Sequence, residues 1–297
     1  MSMSRRQLLA GAGAAIALAA CGSSSSGAGK GSGSGGSGTS DSIGPDPGTK
    51  GFTIAQRYPS DTFVPGTVRL PISLADQKSL LSKGVPAVVN GRVLDAKNQQ
   101  IATVTAPIHS KDLVIPYWAI NVKIDTPGVY TLRLDGDDGF GAPFQVTDPA
   151  KVTVPYIGSL LPPFDTPTVA DHRGVEPYCT LTPAPCPLHT VTLTQALASG
   201  KPVAYMIGTP AHCQTGTCAP ALEFLVKAHE RLGDAVVMVH ADVYSDDAAT
   251  TVAPAVQALG LEYEPVLYLV KSGIVNDRID VIWDQSELDE RLTAFLR

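Results

Sequence analysis

The chain carries little charge and has no basic run beyond its first residues. Lys and Arg total 22 against 28 Asp and Glu, for a net charge of −6. That balance argues against nucleic acid or anionic lipid held through charge. Long apolar runs are also missing: the one candidate, residues 10–20, is too short to remain as a comfortable bilayer-spanning helix. What is present is a hydrophobic fraction of 44%, enough for well-filled cores. About 250 residues follow the low-complexity N-terminal stretch, room for two ordinary domains or one large one.

The N-terminus has the order of an export signal. Ser4-Arg5-Arg6-Gln7-Leu8-Leu9 precedes the short run of small apolar residues, which ends in Leu18-Ala19-Ala20-Cys21. Leu-Ala-Ala-Cys resembles a bacterial lipobox, in which the cysteine is lipidated and becomes the mature N-terminus. Ser-Arg-Arg-x-Leu-Leu resembles a twin-arginine export signal, although paired arginines also occur in ordinary signals. Residues 1–21 are therefore expected to be a lipoprotein signal peptide, with Cys21 as the lipid anchor on the outer face of a bacterial cell membrane. Residues 22–49, rich in Gly and Ser with few apolar side chains, are expected to form a flexible tether with a reach on the order of 30 Å.

Residues 50–150 read as short strands between turns. Trp118, Ile120, Val122 and Ile124 alternate with polar or small residues, as do Tyr130, Leu132 and Leu134, and Asp125-Thr-Pro-Gly128 between them is a turn signal. Further strands are expected over 68–74, 87–94, 101–105 and 144–147. This pattern predicts an antiparallel sandwich, and its end, Pro-Gly-Val-Tyr-Thr-Leu-Arg-Leu followed by Phe-Gln-Val, resembles bacterial immunoglobulin-like modules. The Asp135-Gly-Asp-Asp-Gly139 stretch reads as a hairpin turn rather than a calcium loop. His109, alone in a polar loop, reads as solvated.

Residues 151–190 form a proline-rich connector, and 191–297 alternate strand and helix patterns. An apolar strand is expected over 203–207, a helix through Leu222, Leu225, Val226, His229 and Leu232, a strand over 235–241 and a helix over 251–259. A hairpin of 266–270 with 279–283, turning around Lys271-Ser-Gly273, and a final helix opened by Ser286-Glu-Leu-Asp289 complete the order. Besides Cys21 there are four cysteines. Their spacing favours the pairs Cys179–Cys186 and Cys213–Cys218, while all three pairings stay open on sequence alone. Cys213 and Cys218 lie in Thr209-Pro-Ala-His-Cys-Gln-Thr-Gly-Thr-Cys218-Ala-Pro220, at a strand-to-helix junction. A sulfur there feels the positive end of the helix dipole and unpaired N–H groups, both of which favour thiolate. Five positions cannot be bridged on one regular helix, so Cys213 must lie in the loop with the helix starting near Gly216 or Thr217.

This half resembles the thioredoxin-like superfamily. Ile157-Gly-Ser, Pro163-Phe164 and Gly200-Lys-Pro-Val203 are similar to the lead-in of its TlpA-type and peroxiredoxin-type branches, and Glu264-Pro265-Val266 matches its cis-proline position. The resemblance implies an α/β thioredoxin-like domain behind an all-β immunoglobulin-like sandwich. It also implies thiol–disulfide exchange, with Cys213 attacking, Cys218 resolving and Pro265 beside them, ready to pair with a substrate chain. The partners implied are protein thiols or disulfides outside the cytoplasmic membrane and a membrane electron donor or acceptor, with no cofactor and no metal. Cys179–Cys186 is expected to be a structural disulfide, His212 reads as pointing to solvent, with lowering of the Cys213 thiol pKa as the alternative, and His240 reads as a satisfied core residue.

Four residues separate the sulfurs where thioredoxins have two, and the loop lacks their Trp and Gly-Pro insert. Other readings therefore stand beside exchange. One is a binding or assembly lipoprotein with static disulfides. A Sco-type copper chaperone would need a histidine in Leu261-Glu-Tyr-Glu264, which has none. A peroxiredoxin would need an arginine where Glu264 stands.

Overall fold

The structure is a computed structural model that describes residues 51–59, 62–137 and 139–297. The expected signal peptide with Cys21 and the expected tether over 22–49 lie outside the described residues.

The fold class differs from the expectation of an immunoglobulin-like sandwich followed by an α/β thioredoxin-like domain. The described chain is mostly β. Strands β1 (Thr53–Gln56), β2 (Gly66–Ala75), β3 (Val88–Leu94), β4 (Gln100–His109), β5 (Tyr117–Ile124), β6 (Gly128–Leu134) and β7 (Ala142–Val146) form one antiparallel sheet in the order β1-β2-β5-β4-β3-β6-β7. A sandwich would need two facing sheets. Here β4 is long enough to pair with β3 along Gln100 to Pro107 and then with β5 at Ile108 and His109, so both halves join in one sheet. The sheet curls until its edges nearly meet, where Gln56 Nε2 on β1 donates to the Pro143 carbonyl on β7 at 2.7 Å. Alternation fills the barrel-like interior: Val68, Leu70, Ile72 and Leu74 from β2 meet Trp118, Ile120, Val122 and Ile124 from β5.

The second sheet has four strands, β8 (Val203–Ile207), β9 (Val237–Ala241), β10 (Val266–Lys271) and β11 (Ile274–Asp280), in the order β11-β10-β8-β9. Only the β8–β9 pair is parallel; β10 runs antiparallel to both β8 and β11. Two of the helices beside it, α1 (Leu193–Ala198) and α3 (Pro254–Leu259), are six residues each. The longer α2 (Cys218–Leu232) and α4 (Gln285–Leu296) pack with Met206, Leu267 and Trp283. With few helices and one parallel pair, no clear α/β thioredoxin-like arrangement results. No helix among the described residues is long and apolar enough to cross a membrane.

The hairpin also differs from the sequence reading. Ser272 and Gly273, at φ of 51° and 76°, make a tight turn, so the second strand begins at Ile274 rather than at residue 279. The last helix opens two residues before the expected motif, because the Asp284 side chain, and not that of Ser286, accepts from Glu287 N as the cap.

The two sheets share a polar seam. Arg69 points away from the β2 interior and donates to both Glu287 carboxylate oxygens, at 2.6 and 2.7 Å, while Tyr117 OH donates to Glu287 Oε2 at 2.6 Å. His109 is not solvated: its ring stacks on Tyr117 and its Nδ1 lies 3.1 Å from Asp284 Oδ1.

Candidate functional site

β8 delivers the chain to Gly208 and the loop that follows, and α2 starts where that loop ends. Thr217 is the helix N-cap and Cys218 the first helical residue, with Pro220 in the first turn, where a missing N–H costs nothing. Gly216, at φ 67°, reverses the loop so that its N–H reaches the Cys213 carbonyl at 3.1 Å. This turn brings the Cα atoms of Cys213 and Cys218 to 5.9 Å, and the two sulfurs form a disulfide.

The two sulfurs are unequal. Cys213 is half-buried, whereas Cys218 is fully buried against α2. The Cys218 backbone N–H donates to Cys213 Sγ at 3.2 Å, and Thr215 Oγ1 lies 3.2 Å from the same sulfur. Thr215 in turn meets Thr217 Oγ1 at 2.7 Å, and Thr217 donates to the Val281 carbonyl, which ties the loop to the chain after β11. A carboxylate oxygen of Glu264 lies within 4.8 Å of both sulfurs. Burial raises the Glu264 carboxyl above its usual range, although the Thr209 amide donates to it. His212 does not simply point to solvent; its ring packs edge-on against Tyr244.

The Glu264–Pro265 peptide bond is cis. Pro265 flanks the pair: a carbon added at Gly208 would lie 3.1 Å from Pro265 Cβ and 3.6 Å from Cys218 Cβ. The Pro265 carbonyl already accepts from Val281 N at 2.7 Å. Beside Glu264 and Thr215 opens a groove of about 340 Å³, lined also by Tyr244, Val252 and Tyr263.

The other two cysteines are not the disulfide that their spacing suggests. Cys179 and Cys186 are free, buried thiols. They face His189 and His240, a set that no local sequence pattern gathers, since His240 lies on β9 and the other three lie in the connector. Its partial signal was the Cys179, Cys186 and His189 run within eleven residues. His240 Nδ1 stands 3.8 Å from Cys179 Sγ and 3.6 Å from Cys186 Sγ, while its Nε2 donates to the Gly208 carbonyl at 2.8 Å. A hydrogen bond from the Cys186 thiol favours thiolate at Cys179 and, in turn, holds the Cys186 proton in place. Burial opposes a charged His240, but the Cys179 sulfur and the Asp242 carboxylate outweigh it and raise the imidazole pKa. Asp242 is itself pushed up to about 6 by burial.

Two side-chain sets among the described residues thus have metal-type donors: this one, and Cys213, Cys218 and Glu264, whose sulfurs are bonded to each other. No protein-family model and no curated protein matches the chain, so comparison with known proteins does not identify the thioredoxin-like superfamily.

Proposed function

We propose that the protein carries out thiol–disulfide exchange at Cys213–Cys218. The observation that carries this reading is the asymmetry of the pair: a reachable sulfur that receives a backbone N–H, bonded to a buried one beside a carboxyl group. A substrate thiolate attacks Cys213 Sγ, the S–S bond to Cys218 breaks, and Cys218 leaves as thiolate. The Glu264 carboxyl, whose pKa burial raises, lies within 4.8 Å of that sulfur, and its protonated form gives the thiolate a proton. A second substrate thiol then attacks the substrate sulfur of the mixed disulfide. The substrate leaves oxidised, and Cys213 leaves as a thiolate held by the Cys218 amide and Thr215. The reverse sequence reduces a substrate disulfide.

The groove beside Glu264 suits a polypeptide segment, with Tyr244 and Tyr263 as apolar and hydrogen-bonding contacts. On the export-type pattern ending at Cys21, exchange takes place on the outer face of a bacterial cytoplasmic membrane. Lipidated Cys21 is the anchor there, and a membrane electron donor or acceptor resets the pair.

The test is trapping. A Cys218→Ser variant keeps the attacking sulfur and lacks the resolving one, so its Cys213 thiolate should attack disulfide-bearing proteins, release one substrate thiol and stay as a mixed disulfide, and Cys213→Ser should not. If neither variant traps anything, the disulfide is a static clasp and the protein is a binding or assembly factor.

A further inference from the structure

Four electron-pair donors converge on one point in the core, beneath the Cys213 loop. Cys179 Sγ, Cys186 Sγ and one ring nitrogen each of His189 and His240 lie within 4.8 Å of one another, and all four residues are buried. Both imidazoles direct their other nitrogen at a backbone carbonyl: His240 Nε2 to Gly208 O at 2.8 Å, His189 Nδ1 to Pro167 O at 3.3 Å. A carbonyl only accepts, so those nitrogens carry hydrogens, and each ring turns its other nitrogen inward, where the neutral form offers a lone pair. The inward nitrogens, His189 Nε2 and His240 Nδ1, stand 3.2 Å apart. Two ring nitrogens at that distance with two sulfurs beside them form a set that can hold one cation in their midst.

The spacings say which kind. Tetrahedral zinc, at about 2.3 Å from sulfur and about 2.0–2.1 Å from nitrogen, holds nitrogen and nitrogen about 3.3 Å apart and nitrogen and sulfur about 3.5 Å apart. The corresponding distances here are 3.2 Å between nitrogens and 3.6 and 3.8 Å from His240 to the sulfurs. Two thiolates and two neutral imidazoles suit a divalent ion of borderline softness, and their charge cancels its own. Carbonyls behind both rings fix the tautomers, as partners behind metal-bound histidines do.

We propose that Cys179, Cys186, His189 and His240 bind one zinc ion. All four positions are filled by protein and all four residues are buried, so the ion is structural and has no open position for a reactant. It joins the proline-rich connector to β9. Because His240 also holds the carbonyl of Gly208, the residue that leads into the Cys213 loop, the zinc centre forms the floor under the redox pair.

The test uses the full chain, purified from zinc-containing medium without chelator. Metal content is measured by plasma mass spectrometry, and cysteine state by alkylation and peptide mapping. About one zinc per chain is expected in the wild type, and equally in a Cys213→Ser/Cys218→Ser variant. Cys186→Ser removes a ligand and should weaken zinc retention by about 100-fold or more, beyond the 10–100-fold cost of losing an outer-shell partner. In case that variant does not fold, wild-type protein stripped of metal and titrated with Co²⁺ alone should develop the visible bands and sulfur-to-metal charge transfer of a tetrahedral S₂N₂ site, then lose them to Zn²⁺. The proposal fails if the wild type is metal-free and gives no such cobalt spectrum. It also fails if mapping finds Cys179 bonded to Cys186, or if the metal disappears with Cys213 and Cys218.

Discussion

The Cys218 backbone N–H donates to the sulfur of Cys213 across the first turn of α2, at 3.2 Å. The contact belongs to the bonded state, but it gains strength when Cys213 becomes an anion, because charge-assisted hydrogen bonds are roughly twice as strong as neutral ones. It therefore stabilises reduced Cys213 as thiolate. Alkylation of the reduced protein should label Cys213 well before buried Cys218, with a midpoint for Cys213 below the ordinary thiol pKa of about 8.5. Equal labelling of both sulfurs would contradict this assignment.

Glu264 should matter through its proton. Its carboxyl is raised by burial, so it holds a proton up to a higher pH than an exposed glutamate and loses it as pH rises through that raised value. Glu264→Gln keeps an acceptor for the Thr209 amide and has no proton to give. Exchange should slow by about 10²-fold, within the range of general acid catalysis. The fall in Cys218 release as pH rises through the Glu264 pKa should vanish in the variant. Stopped-flow rates across pH in both proteins test this; parallel pH profiles would remove Glu264 from the mechanism.

Gly208 is held to glycine by space. A methyl group there would stand 3.1 Å from Pro265 Cβ, 3.3 Å from Met206 Cε and 3.6 Å from Cys218 Cβ. Pro265 is a ring and cannot swing aside as a flexible side chain would. Gly208→Ala should cost about 1–3 kcal/mol in urea unfolding, the usual penalty of overpacking, and should slow exchange by shifting the loop against Pro265.

The seam between the sheets sets the acid limit. Arg69 and Glu287 side chains are 8% and 6% exposed, so neither ion has water to fall back on. Burial alone would raise the Glu287 carboxyl, but Arg69 outweighs it and brings the pKa from 4.5 down to about 2. A depressed carboxyl contributes stability that is present above 4.5 and is lost as pH falls toward about 2. Urea unfolding from pH 7 to pH 2 should show that loss, and Glu287→Gln should not. Arg69→Met, which leaves buried Glu287 with Arg291 and Tyr117 as its remaining partners, should cost up to about 3–5 kcal/mol at pH 7.

What was legible in the sequence is what local chemistry dictates. The alternation of 118–124 and 130–134 gives β5 and β6 because each has one face in the barrel interior. The Cys213–Cys218 loop is legible because a helix start and a flexible Gly216 mark it. The remainder depends on partners far along the chain. β1 is four residues with neither end buried, and it exists because β2 lends it hydrogen bonds. The polar stretch Asn276-Asp277-Arg278 conceals β11, since its charges are matched by partners beyond the stretch, Asp277 by Arg291 on α4 and Arg278 by Asp280 and the Pro155 carbonyl. The single curled sheet follows from β4 changing partners over its last two residues, which alternation cannot encode. His240 looks like core because its fellow donors arrive from 51 to 61 residues away.

The central claim is that Cys213–Cys218 is exchangeable, and its reduction potential tests this most directly. The protein is equilibrated in graded thiol buffers, quenched with acid, and the bonded fraction read by mass spectrometry. A thiolate stabilised by the Cys218 amide favours the reduced state, so the account predicts a potential above about −250 mV, in the range of exchanging pairs. A potential below about −300 mV, typical of structural disulfides, would contradict it.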